Sequence, residues 1–417
     1  MKGTAERMRA WRGPALFSYG FRPFFLGAGI WAALAMALWV AALTGRLSLP
    51  THFDPVSWHA HEFLFGYLGA VVAGFLLTAV PNWTGRLPII GAPLALLATF
   101  WVLGRVAVAV SAHLPPLAVA IADLSMPVLL ALAIAREIVR GRNWRNLIVL
   151  ALLAIMILGN GLFHWAVSQG QYAVDGAGFR LGLSGGVMMI AVIGGRIVPS
   201  FTRNWLVKRG EARLPAPSGR FDRVALLVLP AALAAWVAAP ASAAAGTALL
   251  LAGVIHVARL ARWRPVLTGG EPLVWVLHLG YAFLPAGALA LGAAILWPAL
   301  LPVSAALHLW LAGAIGMMTL AVMTRATLGH TGQALTAGHG TAALYLLLLV
   351  AVVARVCAGL YADWAKGLYD LAGLAWIGAF GGFAFIYGPL LLRRRSEGRT
   401  ANPGRRAQAR SHPAKTT

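Results

Sequence analysis

The chain has 417 residues, 60% of them hydrophobic and only 11% charged, with a mean hydropathy of +0.76. A soluble protein of this length carries about 25% charged residues, so the long apolar stretches read as membrane spans. The net charge of +22 is scattered between apolar runs and not gathered on one domain, which excludes a nucleic-acid partner.

Taken in chain order, apolar runs occur near 20–44, 58–80, 91–112, 115–135, 146–168, 178–199, 222–239, 241–260, 272–297, 303–324, 340–361 and 368–392. Each is long enough to cross roughly 30 Å of hydrocarbon as a helix. The expectation is an all-α integral membrane protein of about twelve transmembrane helices over 20–392. It is flanked by a basic N-terminus (1–19), with no secretory leader, and a disordered basic tail (393–417). The weakest division is the pair near 222–260, where only Ala-Ala-Pro-Ala-Ser separates two Ala/Leu-rich runs.

Short loops carry Lys and Arg mainly on the cytoplasmic side. Basic residues cluster at Lys2, Arg7, Arg9 and Arg12, at Arg136–Arg145, at Arg203–Arg220, at Arg259–Arg264 and at Arg393–Arg395, whereas the alternate loops hold almost none. Twelve spans with both termini cytoplasmic put every cluster on one side of a bacterial inner membrane.

Spans 2, 6 and 10 share a pattern. His61, Gly66 and Gly69 recur as His308, Gly313 and Gly316, and as Ala177, Gly182 and Gly185. Each of the three ends in a polar breaker, at 80–86, 198–205 and 323–332. The pattern points to a degenerate three-fold repeat of four-helix units (20–140, 141–265, 266–392), although glycines at such spacing also serve plain helix packing. Arg105 and Asp123 lie equally far from the turn between spans 3 and 4, and Arg355 and Asp370 sit similarly across spans 11 and 12. Intramembrane charges are costly unless paired or functional, so each couple is expected to form an ion pair, the alternative being a haem propionate held by the arginine.

The single cysteine, Cys357, excludes a disulfide framework, a CxxC redox pair and covalent CxxCH haem attachment. The histidines are more informative. Asp54 and Pro55 look like a helix N-cap and first position, placing His59, His61 and Glu62 in the opening turns. His59 and Glu62 share a face, and His61 points roughly 200° away from His59. His308 matches His61 in span 10, and His164 ends span 5 at similar depth, one turn beyond Asn160. Neutral imidazole ligates haem iron and copper alike. His61 and His308 are the candidate haem pair, with Arg105 and Arg355 for its propionates. His59, Glu62 and His164 are the copper candidates. His52 and His113 read as interfacial residues. His278, inside span 9, is either a ligand or a helix–helix hydrogen bond. His330 and Arg325 lie in the last breaker and Arg196 just before the second, where a polar gate or quinone contact is as apt as metal.

The segments Phe17–Ala32, Trp58–Arg86, Gly194–Trp205 and Met323–Gly332 resemble the NnrS family of bacterial membrane proteins, in that order and over about Phe17 to Pro389. The resemblance implies about twelve spans, non-covalent b-type haem, copper, and a role in nitric oxide metabolism or resistance to nitrosative stress. The residues matching the motifs are His59, His61, Glu62, Arg86, Arg196, Arg325 and His330. The twelve spans in three groups, with histidines on helices 2 and 10, also resemble the haem–copper oxidases at the level of fold. The absence of histidine from spans 6 and 7 departs from the copper site of those enzymes.

Three functions fit at this point. One is a haem- and copper-binding protein of the bilayer that handles nitric oxide or its iron adducts. A second is a twelve-helix anion or small-molecule transporter gated by Arg196, Thr202, Arg325 and His330. A third is a quinol-linked reductase, with electrons from quinol or a donor protein. Whether the chain catalyses a reaction is open.

Overall fold

The computed structural model describes residues 11–86 and 88–394. Lys2, Arg7, Arg9 and the tail from 395 onward, with His412, lie outside the described residues. No strand occurs among the described residues, and twelve helices are long and apolar enough to cross a bilayer. They are α1 (Phe21–Leu43), α2 (Pro55–Thr84), α3 (Ala92–Ala109), α4 (Pro116–Arg140), α5 (Trp144–Ser168) and α6 (Ala177–Lys208). The chain continues with α7 (Arg220–Ala238), α8 (Ala243–Leu267), α9 (Pro272–Leu296), α10 (Val303–Thr331), α11 (His339–Leu360) and α12 (Ala362–Leu392). The pair near 222–260 is indeed two helices, α7 and α8.

The polar segment at 198–205 does not break its helix, whereas those at 80–86 and 323–332 each hold a helix end. Pro81 lies inside α2 and Pro199 inside α6, and the helices run on to Thr84 and Lys208. Each proline leaves the carbonyl four residues back, that of Leu77 or Gly195, without its backbone donor, and nearby threonines bond other carbonyls of the same turns. Thr84 Oγ1 donates to the Val80 carbonyl at 2.8 Å, and Thr202 Oγ1 to that of Val198 at 2.8 Å. Helices α2 and α10 end where a glycine turns left-handed, Gly85 at φ 66° and Gly332 at φ 78°. No L side chain enters that conformation cheaply.

Helices α2, α6 and α10 form the interior. Their most apolar stretches are 78, 72 and 72% buried, against 28–50% in the other nine. The three touch one another, and the remaining helices ring them, with α12 against α1, α4 against α5 and α8 against α9. Arg22 closes the ring. Its guanidinium donates to the carbonyls of Leu390, Leu391 and Arg393 at 3.2, 2.8 and 2.8 Å, capping the end of α12. The start of α1 and the end of α12 therefore share one face, here the terminal face. His61 and His308 lie toward the opposite, histidine face.

Each interior helix contains a widened π-helical segment: Glu62–Tyr67, Ile190–Gly194 and Leu309–Gly316. Such segments loosen the backbone ladder and often accompany functional sites. Those of α2 and α10 directly follow His61 and His308. That of α6 lies further along the helix than Ala177 would place it.

Candidate metal centre

The Asp54 side chain accepts from the backbone N–H of Val56 and Ser57 at 3.0 and 2.9 Å, and Pro55 opens the helix. This N-cap fixes the rotation of α2 and so the directions of the histidines that follow. His61 and Glu62 turn inward, both fully buried. Two glycines clear the space around them. A Cβ at Gly66 would collide with the Arg105 guanidinium, and one at Gly104 would come 2.9 Å from the Asp123 Cα. The Gly66 carbonyl accepts from the Trp101 indole N–H at 3.0 Å.

Arg105 and Asp123 meet, as their spacing predicted, in a direct ion pair. Arg105 also donates to Glu62 at 2.6 Å, so one guanidinium is shared by two buried carboxylates. Asp123 is the hub. Its Oδ2 accepts from Asn160 at 2.7 Å and from His164 Nε2 at 3.0 Å, and lies 3.2 Å from His61 Nε2. The other His61 nitrogen, Nδ1, faces Glu62 Oε1 at 3.1 Å. Both nitrogens of His61 thus face oxygen acceptors, and a neutral ring has only one N–H to offer. The cluster holds two carboxylates to one guanidinium, so its balance calls for a second positive charge. A metal ion held between them would supply it.

His61, Asp123 and His164 present one ligand atom each, all within 4.8 Å of one another. Metal bonds of about 2.0–2.2 Å require the histidine nitrogens to draw back from Asp123 by a few tenths of an ångström. Glu62 Oε2 is buried with no hydrogen-bond partner, a further oxygen within the same cluster. Phe53 and Phe163 pack against the imidazoles and keep the site dry.

His59 and His308 belong to a different group. His59 stacks on Trp39, with ring centroids 4.5 Å apart, and touches Phe63 at 4.8 Å. Its Nδ1 is buried without a partner. Arg355 and His59 lie near His308, whose Nδ1 donates to the Ser304 carbonyl at 2.6 Å. That bond leaves the His308 Nε2 lone pair free. The matched positions of His61 and His308 therefore do not make them a pair: one is gathered with His164, the other with His59. The Arg355–Asp370 pair does not form either. Asp370 is exposed, and Arg355 lies over the ring of the adjacent Tyr369, 5.1 Å from its centroid.

The remaining candidates do not converge. His278 makes a helix–helix bond, donating from Nε2 to Thr202 at 2.7 Å. His330 stacks on Tyr19 and Phe21. Arg196 donates to Asn146 at 2.9 Å, and Arg325 covers Phe201 at 4.2 Å. His52 and His113 are exposed, as interfacial residues should be.

Two members of the centre were not among the sequence candidates. Asp123 appeared only as a partner for Arg105, and Asn160 only as the residue one turn before His164. That spacing was the available signal. A second buried network, Asp222–Arg259–Tyr281–His256, also went unpredicted. Arg259 donates to Asp222 at 3.0 Å, to Tyr281 at 2.8 Å and to the Ala191 carbonyl in the π segment of α6 at 3.0 Å. His256 bonds Tyr281 and the Ala225 carbonyl. Every one of these bonds is internal, so this network ties α6 to α9 together without offering a ligand atom.

No curated protein matches the chain. Residues 15–395 match the family described as NnrS protein. With its twelve spans, this chain belongs to the NnrS family of membrane proteins.

Proposed function

We propose that this protein is a metal-binding protein of the bacterial inner membrane that handles nitric oxide or its iron adducts, supporting nitrosative-stress resistance or denitrification. The observation that carries this reading is the buried set His61, Asp123 and His164, placed beside an excess carboxylate. Two imidazoles and one carboxylate suit copper, zinc and ferrous iron, with positions left open for a small ligand. The copper expected from the family resemblance fits here, with Asp123 in the ligand set and Glu62 against the far nitrogen of His61. A bound metal supplies an electrophilic centre with an exchangeable position. The protein's own groups do the rest. Arg105 holds Asp123 and Glu62 in register, Asn160 orients Asp123, and the free Glu62 Oε2 is placed to take up a proton.

Haem requires an axial imidazole with a free lone pair and a cation for its propionates. His308 Nε2 and Arg355 offer these, with His59 beside them, so the donor chemistry fits a non-covalent b-type haem at α10. It does not fit a haem shared between His61 and His308. Electrons would come from quinol or a donor protein. The run of basic loops on one side supports cytoplasmic termini.

Metal analysis and optical spectra of the purified protein, before and after nitric oxide, test the proposal. Metal bound by the wild type and absent from His164→Ala supports it, as does a Soret band lost in His308→Ala. Metal-free protein with saturable anion flux would overturn it in favour of a transporter.

A further inference from the structure

Where α2, α6 and α10 meet lies a cavity of about 60 Å³. Its walls include Leu68 and Val71 of α2, Met189 and Ile193 of α6, and Met318 and Val322 of α10. The π segment of α6 forms part of the wall, and Gly186 and Gly194 remove side chains from it. The wall's one hydroxyl is already engaged. Thr319 Oγ1 donates to the Ile315 carbonyl at 2.6 Å and accepts from the Tyr67 hydroxyl. A buried water needs about two to four polar partners, and this wall offers none.

We propose that the cavity is a binding site for a small uncharged gas. The lining excludes ions, because nothing there compensates lost hydration. Size excludes rings, since a dry cavity of about 150 Å³ is what accepts benzene. Leu68 follows His61 by two turns of α2, about 10 Å along the axis, so the occupant rests beneath the metal centre. Between the two, Gly182 and Gly186 of α6 let the side chains of α2 pack close. A Cβ at Gly182 would strike Phe65 and approach Leu64, and one at Gly186 would come 3.0 Å from Leu68. At the other end, Phe75, Ile197 and Val322 are only half-buried, which makes that end the less covered one. The inference deepens the nitric oxide proposal and rests on it only for which gas is physiological, nitric oxide being an uncharged diatomic.

Xenon, an apolar probe of suitable size, tests the site in crystals of the full chain under xenon pressure. The expected result is an anomalous peak in contact with Met189 and Met318. The peak should be lost in Val322→Phe, which fills the cavity, with metal content unchanged. If Val322→Phe does not fold, Val322→Leu should lower the occupancy, and Met318→Ala, which enlarges the space, should retain the peak. No peak in the wild type, a peak unchanged in the filling variants, or an acyl chain in its place would overturn the inference. Xenon bound without metal leaves this site standing and overturns the metal centre, and metal bound without xenon does the reverse.

Discussion

Arg105 and Asp123 form a direct ion pair across the turn between α3 and α4, both nearly fully buried. At that depth neither charge has water to fall back on: loss of Arg105 leaves two carboxylates uncompensated, whereas loss of Asp123 leaves Arg105 its bond to Glu62. A buried pair broken on one side costs about 3–5 kcal/mol. Arg105→Gln should therefore lower the thermal unfolding temperature sharply, and Asp123→Asn, which keeps the Arg105–Glu62 bond, should lower it less while abolishing metal binding. Unfolding in detergent and metal analysis of the same sample check both. Retained metal would remove Asp123 from the ligand set.

His164 separates binding from folding more cleanly. It makes one bond to Asp123 and lies at the edge of the cluster. His164→Ala should lose the metal while the bundle remains intact by circular dichroism. His113→Ala, at an exposed position, should change neither. Equal metal content in the two variants would contradict the assignment.

Gly66 and Gly69 make a matched pair of probes on α2. A methyl at Gly66 meets the Arg105 guanidinium, whereas nothing lies within 4 Å of a Cβ at Gly69. Gly66→Ala should destabilise by about 1–3 kcal/mol through overpacking. Gly69→Ala should be neutral, or stabilising by up to about 1 kcal/mol from helix propensity. Parallel thermal melts give the comparison.

Tyr281 bonds both His256 and Arg259. Tyr281→Phe strips a shared partner from two buried groups, at a cost of about 1–3 kcal/mol. Metal content should not change, since the network contributes no ligand. A loss of metal in this variant would show that the α6–α9 network and the centre are coupled.

Local features of this fold were legible in the sequence, and distant ones were not. The Asp54 cap, the opposed directions of His59 and His61, and the Arg105–Asp123 pair all follow from helix geometry and counting. The partners of each histidine do not. His61 finds Asp123 because α4 and α5 pack on α2, and His308 finds Arg355 because α10 packs on α11, neither of which is encoded locally. The same limit explains Asp370. Its spacing from Arg355 mirrored that of the true pair, but α12 turns Asp370 outward and Tyr369 toward the guanidinium. Of the three breakers only that at 198–205 misled: α6 runs through Pro199 to Lys208, whereas α2 and α10 end inside theirs, at left-handed Gly85 and Gly332. A three-fold repeat, as we read it, would account for the ring contacts, although the π segment of α6 is out of step with those of α2 and α10.

The latch between Arg22 and the end of α12 has a consequence for biogenesis. Every residue of the metal centre comes from α2 to α5, so its ligands are all inserted once the chain has passed His164. The bundle, by contrast, cannot close until Leu391 arrives at the guanidinium of Arg22. A cation captured early would hold the first helices in register while the remainder is still being threaded into the bilayer.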